Sequence, residues 1–269
     1  MIAAVRLAFG LLTIFPVGPP GRVDRRTAGR AVAFFPLVGL VLGVLAAVVV
    51  KLARASYHTY SLQLLPAALA LALLAFLTRG MHLDGLADVA DGLGASRDPK
   101  RSLEVMTEST VGAFGVITIV FVVLVQAAAL ERCILFHRGS LAIVLSVMVG
   151  RLSMVVACRQ GVRPARSEGL GALVAGTIRR PVVALVVALT AAAGALGGKF
   201  DIDGGRTRLA LHAVLALIAA LVATEFLRWL WCRRLGGITG DVLGGLNEIA
   251  TAVVLLVLAG HLPGSINAF

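Results

Sequence analysis

The sequence predicts an all-α fold, a polytopic helical integral membrane protein. About seven transmembrane helices, plus an N-terminal interfacial or re-entrant helix, are expected in one domain covering residues 1–269. Three observations carry that expectation. Hydrophobic residues make up 59% of the chain and charged residues 14%, against roughly 45–50% and about 25% in soluble domains. The apolar residues gather into runs of the length a bilayer demands, about 20 residues each. The 25 Lys and Arg fall unevenly on the two sides that such runs define, as the positive-inside rule requires. The same arithmetic excludes a disordered chain, a disulfide scaffold and a soluble nucleic-acid binder.

Taken in order, the runs cover residues 31–50, 62–77, 111–130, 141–157, 181–196, 209–231 and 243–262. The stretch 1–15 is too short to span comfortably. It leads into Pro16, Pro19 and Pro20, which cannot continue a helix. With Arg6 in its middle and no small-residue cleavage site, it is not expected to be a cleaved signal, and the first strong run is expected to act as its own insertion signal. Placing the segment before residue 31 in the cytoplasm puts the basic segment 22–30 on that side. The loops 79–108 and 159–180 and the segment 233–248 join it there. Most of the basic residues are then cytoplasmic, in a protein of the cell (inner or plasma) membrane. The net charge of +11 is expected mainly from loops facing an anionic leaflet, with attraction of a polyanionic phosphate substrate as the second reading. Cys133, Cys158 and Cys232 are scattered and form no CxxC, so neither a disulfide nor a metal is assigned to them.

Those four polar features share one side, so one cytoplasmic site can draw on all of them. The most informative stretch runs from Thr78 to Gly92. On a helix, Asp84, Asp88 and Asp91 lie on one face. Like charges at this spacing repel, and no Lys or Arg stands three or four residues away from Asp88 or Asp91 to relieve them. Acids beside an apolar span are expensive. A bound cation resolves both problems, and oxygen-only ligands favour a hard ion, Mg²⁺ or Mn²⁺. Gly85 and Gly92 in the same stretch allow close approach of a ligand or of a neighbouring helix. His82 stands two residues from Asp84.

Further along, Asp98 and Pro99 suit the N-cap and first position of a short helix, on which Glu104 is expected to pair with Lys100. Arg97 has no local partner and is a candidate for bidentate contact with a phosphate. Glu108 is a further candidate ligand. In the segment 235–248, Asp241 and Glu248 are seven residues apart, again one helical face. Thr239 and Gly240 stand at a helix start, where backbone N–H groups can meet a phosphate. Arg151 sits inside a run, where a lone charge needs a partner; Glu225, Glu248 and a substrate phosphate are the candidates.

The stretch His82-Leu83-Asp84-Gly85-Leu86-Ala87-Asp88, with Asp91-Gly92, resembles the signature of the cobalamin synthase (adenosylcobinamide-GDP ribazoletransferase) family. Other blocks resemble the family in the same order: 12–17, 35–39, 96–98, 103–106, 168–171 and 237–244. Three positions depart from it. Glu108 and Thr110 flank Ser109 where the family usually has Asp and Arg, and Arg79 replaces a small residue and offers a cation near the missing one.

The resemblance implies the last assembly step of the cobalamin nucleotide loop. A ribose hydroxyl of α-ribazole, or of its 5′-phosphate, attacks the cobinamide-side phosphorus of adenosylcobinamide-GDP and GMP leaves. It also implies dependence on Mg²⁺. The site residues expected on this reading are Asp84, Asp88, Asp91, Asp241 and Glu248 as metal ligands, with Asp84, Asp88 and His82 catalytic. Arg97, Thr239 and Gly240 are expected to bind the nucleotide. The expected partners are the two substrates and the lipid bilayer, with a homo-oligomer open and no nucleic acid. Two rival readings are weighed against this one. A CDP-alcohol phosphotransferase also spaces aspartates around a DG element, but Leu83 and Ala87-Asp88 occupy its diagnostic places. An ion-coupled transporter would string its acids along a pathway, whereas here they gather at one edge.

Overall fold

The computed structural model describes residues 1–18, 23–56, 63–201 and 207–260. Pro19, Pro20, Arg22 and the ends of the expected runs at 62 and 261–262 lie outside the described residues. Helix is the only regular structure among the described residues, apart from isolated bridges. Six helices are long and apolar enough to cross a membrane. They are α3 (Phe35–Ser56), α7 (Ala113–Leu135), α8 (Gly139–Ala157), α10 (Arg180–Lys199), α11 (Thr207–Leu235) and α12 (Gly240–Ala259). A bent pair, α4 (Leu64–Leu77) and α5 (Met81–Ala95), makes a seventh crossing if counted as one. The shorter helices are α1 (Ile2–Leu12), α2 (Arg25–Ala33), α6 (Pro99–Val105) and α9 (Gly169–Val174).

The first expected run is divided. Residues 31–33 belong to α2, and the spanning helix starts at Phe35. Pro36 is the reason: without an N–H it fits the first turn of a helix and not its interior. The other runs hold, and most extend by a few residues because basic side chains at their ends reach out of the apolar layer. The 11-residue α1 is too short to cross. It buries Ala4, Leu7, Ala8 and Leu12 and packs on α2 and α3.

The bundle has a clear centre. Nearly every residue of α8 is buried, whereas α10 buries only Thr190, Gly194 and Gly198. α12 is the second central helix and touches α5, α7, α8 and α11. Glycines set the spacing. A Cβ on Gly39 or Gly43 would come within 2.7 Å of the α8 backbone, so these two glycines let α3 lie directly on α8. Gly150 brings α8 onto Asn247 and Thr251 of α12 in the same way.

Arginines close the helix ends. Arg25 donates to the carbonyls of Ala172 and Ala175 at the end of α9. Arg234 donates to Leu93 and Ser96 at the end of α5. Arg132 and Arg138 do the same at the end of α12, reaching Ala259, Leu258 and Gly260. The last carbonyls of a helix have no partner within it, and a cation there also opposes the helix dipole. Part of the chain's excess of Arg therefore has a structural use.

Candidate active site

The site starts with a turn. Arg79 and Gly80 both adopt left-handed backbone angles, φ 55° and 65°, and α5 leaves α4 at 87°. Arg79 is the costly member, because L-residues rarely occupy this region. Its side chain runs back to the Leu11 carbonyl at 3.4 Å, not toward the acids that follow. α5, turned sharply away from α4, is not counted among the spanning segments.

α5 meets the first turn of α12 through glycine. A Cβ on Gly85 would lie 2.9 Å from the backbone of Asp241. On the other helix, a Cβ on Gly244 would lie 3.2 Å from His82. This contact carries Asp88 toward Asp241, which lies 153 residues further along the chain. Burial pushes the Asp88 carboxyl up to about 7, and the charges of Asp241, Asp84 and Asp91 add to the effect in that order, while Arg166 opposes it. Asp84, Asp88 and Asp241 thus lie near enough for their charges to act on one another. Asp84 is exposed and Asp88 and Asp241 are half-buried, so these acids form a rim open to water.

The other expected residues go elsewhere. Asp91 accepts from the Gly112 N–H at 2.7 Å and the Gly115 N–H at 2.8 Å. Both its oxygens therefore cap the start of α7. Glu248 stands two turns inside α12, where Gln126 Nε2 donates to it at 2.9 Å and Asn247 Nδ2 at 3.0 Å; it does not join the rim. His82 is buried, and the charged group that bears on it is Arg151. Thr239 is buried, and its hydroxyl accepts from the Val242 N–H at 3.1 Å, capping α12. Gly240 opens that helix and faces Leu170. Arg97 is exposed between α5 and α6. Asp98 and Pro99 do start α6. Glu104, however, pairs with Arg101 at 3.2 Å and not with Lys100. Arg101 also reaches Glu108 at 3.6 Å. Glu225 is taken by Arg159 and Arg228, which leaves Glu248 as the charge facing Arg151.

Arg166 is the residue whose individual place the sequence did not disclose. The loop carrying it is fixed by two backbone bonds, Ala165 N–H to Ile238 O at 3.0 Å and Ile238 N–H to Arg163 O at 2.9 Å. Gly237 permits this, since a Cβ there would come within 2.5 Å of the loop backbone. Arg166 Nη2 donates to the Leu103 carbonyl at 2.6 Å, and the guanidinium lies within electrostatic reach of Asp88 and Asp241. Among the described residues, no three His, Cys, Asp or Glu side chains close on one point as a finished metal cage. The donor set still suits Mg²⁺, which usually takes one or two carboxylates together with waters and substrate phosphates.

The fold and the rim together define a class: a polytopic membrane protein with a carboxylate site at one end of its helical bundle. Within that class, the chain belongs to the cobalamin-5-phosphate synthase family, whose model matches residues 4–259. A protein of Frankia casuarinae named adenosylcobinamide-GDP ribazoletransferase is 48% identical, over 98% of this chain and 96% of its own length. Proteins of the same name from a Nocardioides species and from Syntrophobacter fumaroxidans are 42% and 36% identical. They cover 96% and 94% of this chain, and 99% and 96% of their own lengths. No solved structure matches the chain.

Proposed function

We propose that this chain is an adenosylcobinamide-GDP ribazoletransferase, joining α-ribazole or its 5′-phosphate to adenosylcobinamide-GDP with release of GMP. The names of its relatives speak for this reading over a CDP-alcohol phosphotransferase or an ion-coupled transporter. The observation that carries it is the close contact of α5 with the first turn of α12 at Gly85, which sets Asp84, Asp88 and Asp241 within electrostatic reach of one another and of Arg166. An excess of carboxylate beside one fixed guanidinium suits a substrate that arrives as a diphosphate together with a cation.

In the reaction, the ribose hydroxyl oxygen forms a bond to the cobinamide-side phosphorus. The bond from that phosphorus to the bridging oxygen breaks, the hydroxyl proton is given up to a base, and GMP departs. Asp84, Asp88 and Asp241 would hold Mg²⁺. When bound there, the ion supplies charge neutralisation for the leaving phosphate. Arg166 donates to phosphate oxygen from its anchor on Leu103, and the rigid loop spares the ordering of a long side chain on binding. Asp91 and Thr239 act on the site indirectly, by fixing the starts of α7 and α12. The site-bearing end faces the cytoplasm of the cell membrane, in accord with the basic loops around it.

The test is turnover by detergent-purified protein supplied with adenosylcobinamide-GDP and α-ribazole. GMP and the cobalamin product should appear together in equal amounts, and a chelator should abolish both. Arg166→Ala should raise KM for the diphosphate substrate about tenfold, roughly 1.4 kcal/mol, and leave KM for α-ribazole nearly unchanged. Turnover that survives exhaustive chelation would remove the ion from the proposal. A folded protein that releases no GMP would remove the activity itself.

A further inference from the structure

Deeper in the bundle lies a chamber that the rim does not use. It has a volume of about 220 Å³ and is walled by α4, α5, α7, α8 and α12. Most of its wall is apolar, including Leu71, Ala75, Leu83 and Val147; Arg151 and Glu248 are its charged groups. The Arg151 side chain is 4% exposed, and its Nε has no hydrogen-bond partner. Asn247 Oδ1 and His82 Nε2 are likewise buried without partners. The His82 ring lies in the field of Arg151. Asn247 Oδ1 packs against Gly150, the residue before Arg151, where an added Cβ would meet it at 2.8 Å. Arg151 therefore leaves an open donor in the wall of a largely apolar chamber, whereas Asn247 and His82 are not among its lining residues. Unpaired buried groups of this kind are strongly unfavourable, so each calls for a ligand atom or water.

We infer that this chamber receives the acceptor nucleoside, the base against its apolar walls and a sugar hydroxyl among its polar groups. The inference rests on the transferase reading. Charge and size select the ligand. The diphosphate substrate carries several negative charges and a bulky corrinoid, and burying them beside Glu248 would be prohibitive. The nucleoside part of the acceptor is uncharged and its flat benzimidazole base is mostly apolar, while a 5′-phosphate on it would stay outside the chamber for the same reason as the diphosphate. The chamber is smaller than the roughly 300–1,000 Å³ of pockets for drug-sized ligands, which suits one ring system better than a whole nucleotide. A hydroxyl both donates and accepts, so one such group can accept from the open donor on Arg151 and donate to the Glu248 carboxylate that shares the chamber wall. The chamber also adjoins the rim: Leu83 lines it, and Asp84 is the next residue.

The probe is α-ribazole alone, titrated by calorimetry into the full-length protein in nanodiscs with no diphosphate substrate present. Wild type should bind it. Ala75→Leu fills the chamber without touching a charge. It should weaken binding at least tenfold and raise KM for α-ribazole to match, with KM for adenosylcobinamide-GDP within twofold of wild type. Ala72→Leu, on the same wall, serves if the first variant does not fold. Folded variants that bind α-ribazole as wild type does would overturn the inference and leave the transferase standing. So would a wild type that turns over yet binds no nucleoside alone. A protein that neither binds α-ribazole nor releases GMP would take the transferase reading down with it.

Discussion

The rim and the chamber hold charge in opposite ways. The rim gathers Asp84, Asp88 and Asp241 in reach of water, with Arg166 beside them. Its acids repel, and the repulsion is tolerable because solvent screens it. The chamber sets one Arg151 facing one Glu248 inside the bundle, with Gln126 and Asn247 bonded to the acid. There the charges oppose each other, and neither is well replaced by water. The same residue types therefore serve recognition in one place and burden the fold in the other. Removing a charge should weaken activity at the rim and stability in the chamber.

The chamber should show the largest effect on stability. Glu248→Gln leaves Arg151 buried without its counter-charge, and unfolding in detergent should show a loss on the order of 3 kcal/mol. A midpoint equal to wild type would mean that the two charges are not coupled. At the rim, Asp88→Asn should cut turnover about 100-fold, near 2.7 kcal/mol, while the unfolding midpoint stays equal or rises as repulsion is relieved. Full activity in that variant would end the role given to the rim.

Between the two regions, Gly85→Ala should force α5 away from Asp241 and lower stability by about 1–3 kcal/mol, as overpacking does. Activity should fall with it, and a variant as stable and active as wild type would show that this contact is not what holds the rim together. Smaller still, Asp91→Ala should cost about 1 kcal/mol of stability through the lost cap on α7. Asp91→Asn should restore much of it, since the amide oxygen can accept one of the same backbone bonds. If both variants instead lose activity alike and keep wild-type stability, Asp91 belongs with the metal ligands and not with the caps.

Asp91 and Glu248 also mark how far a linear pattern reaches. Asp84, Asp88 and Asp91 do share a helical face, as their spacing requires. Yet Asp91 is spent on Gly112 and Gly115, because the start of α7 happens to arrive beside it. Asp241 and Glu248 share a face of α12 too, but seven residues of helix separate them by about 10 Å along the axis. That distance carries the second acid from the rim into the bundle. One face of a helix is not one place. The same limit applies to His82: proximity to Asp84 in sequence said nothing of the Arg151 it meets across the bundle.

Glu104 gives a smaller instance. Lys100 and Arg101 stand four and three residues before it, both within helical reach, and the local geometry of α6 favours Arg101. Arg166 was visible only as one basic residue among several in its loop. Its position depends on Gly237 admitting the backbone of residues 163–165, a contact between loops that lie far apart in sequence.

What the sequence determined by itself are the properties set within a few residues. These are the apolar runs, the α6 start at Asp98-Pro99 and the spacing of the α5 acids, and, through its motifs, the family. Each follows from transfer free energy or from backbone geometry, which neighbouring residues settle among themselves. Only the tertiary structure decided which acids meet, which cap a helix and which lie buried opposite an arginine. Those outcomes depend on how closely two distant helices approach. At Gly85 and Gly244 that approach is governed by the absence of a side chain, which acquires meaning only once the partner helix is in place.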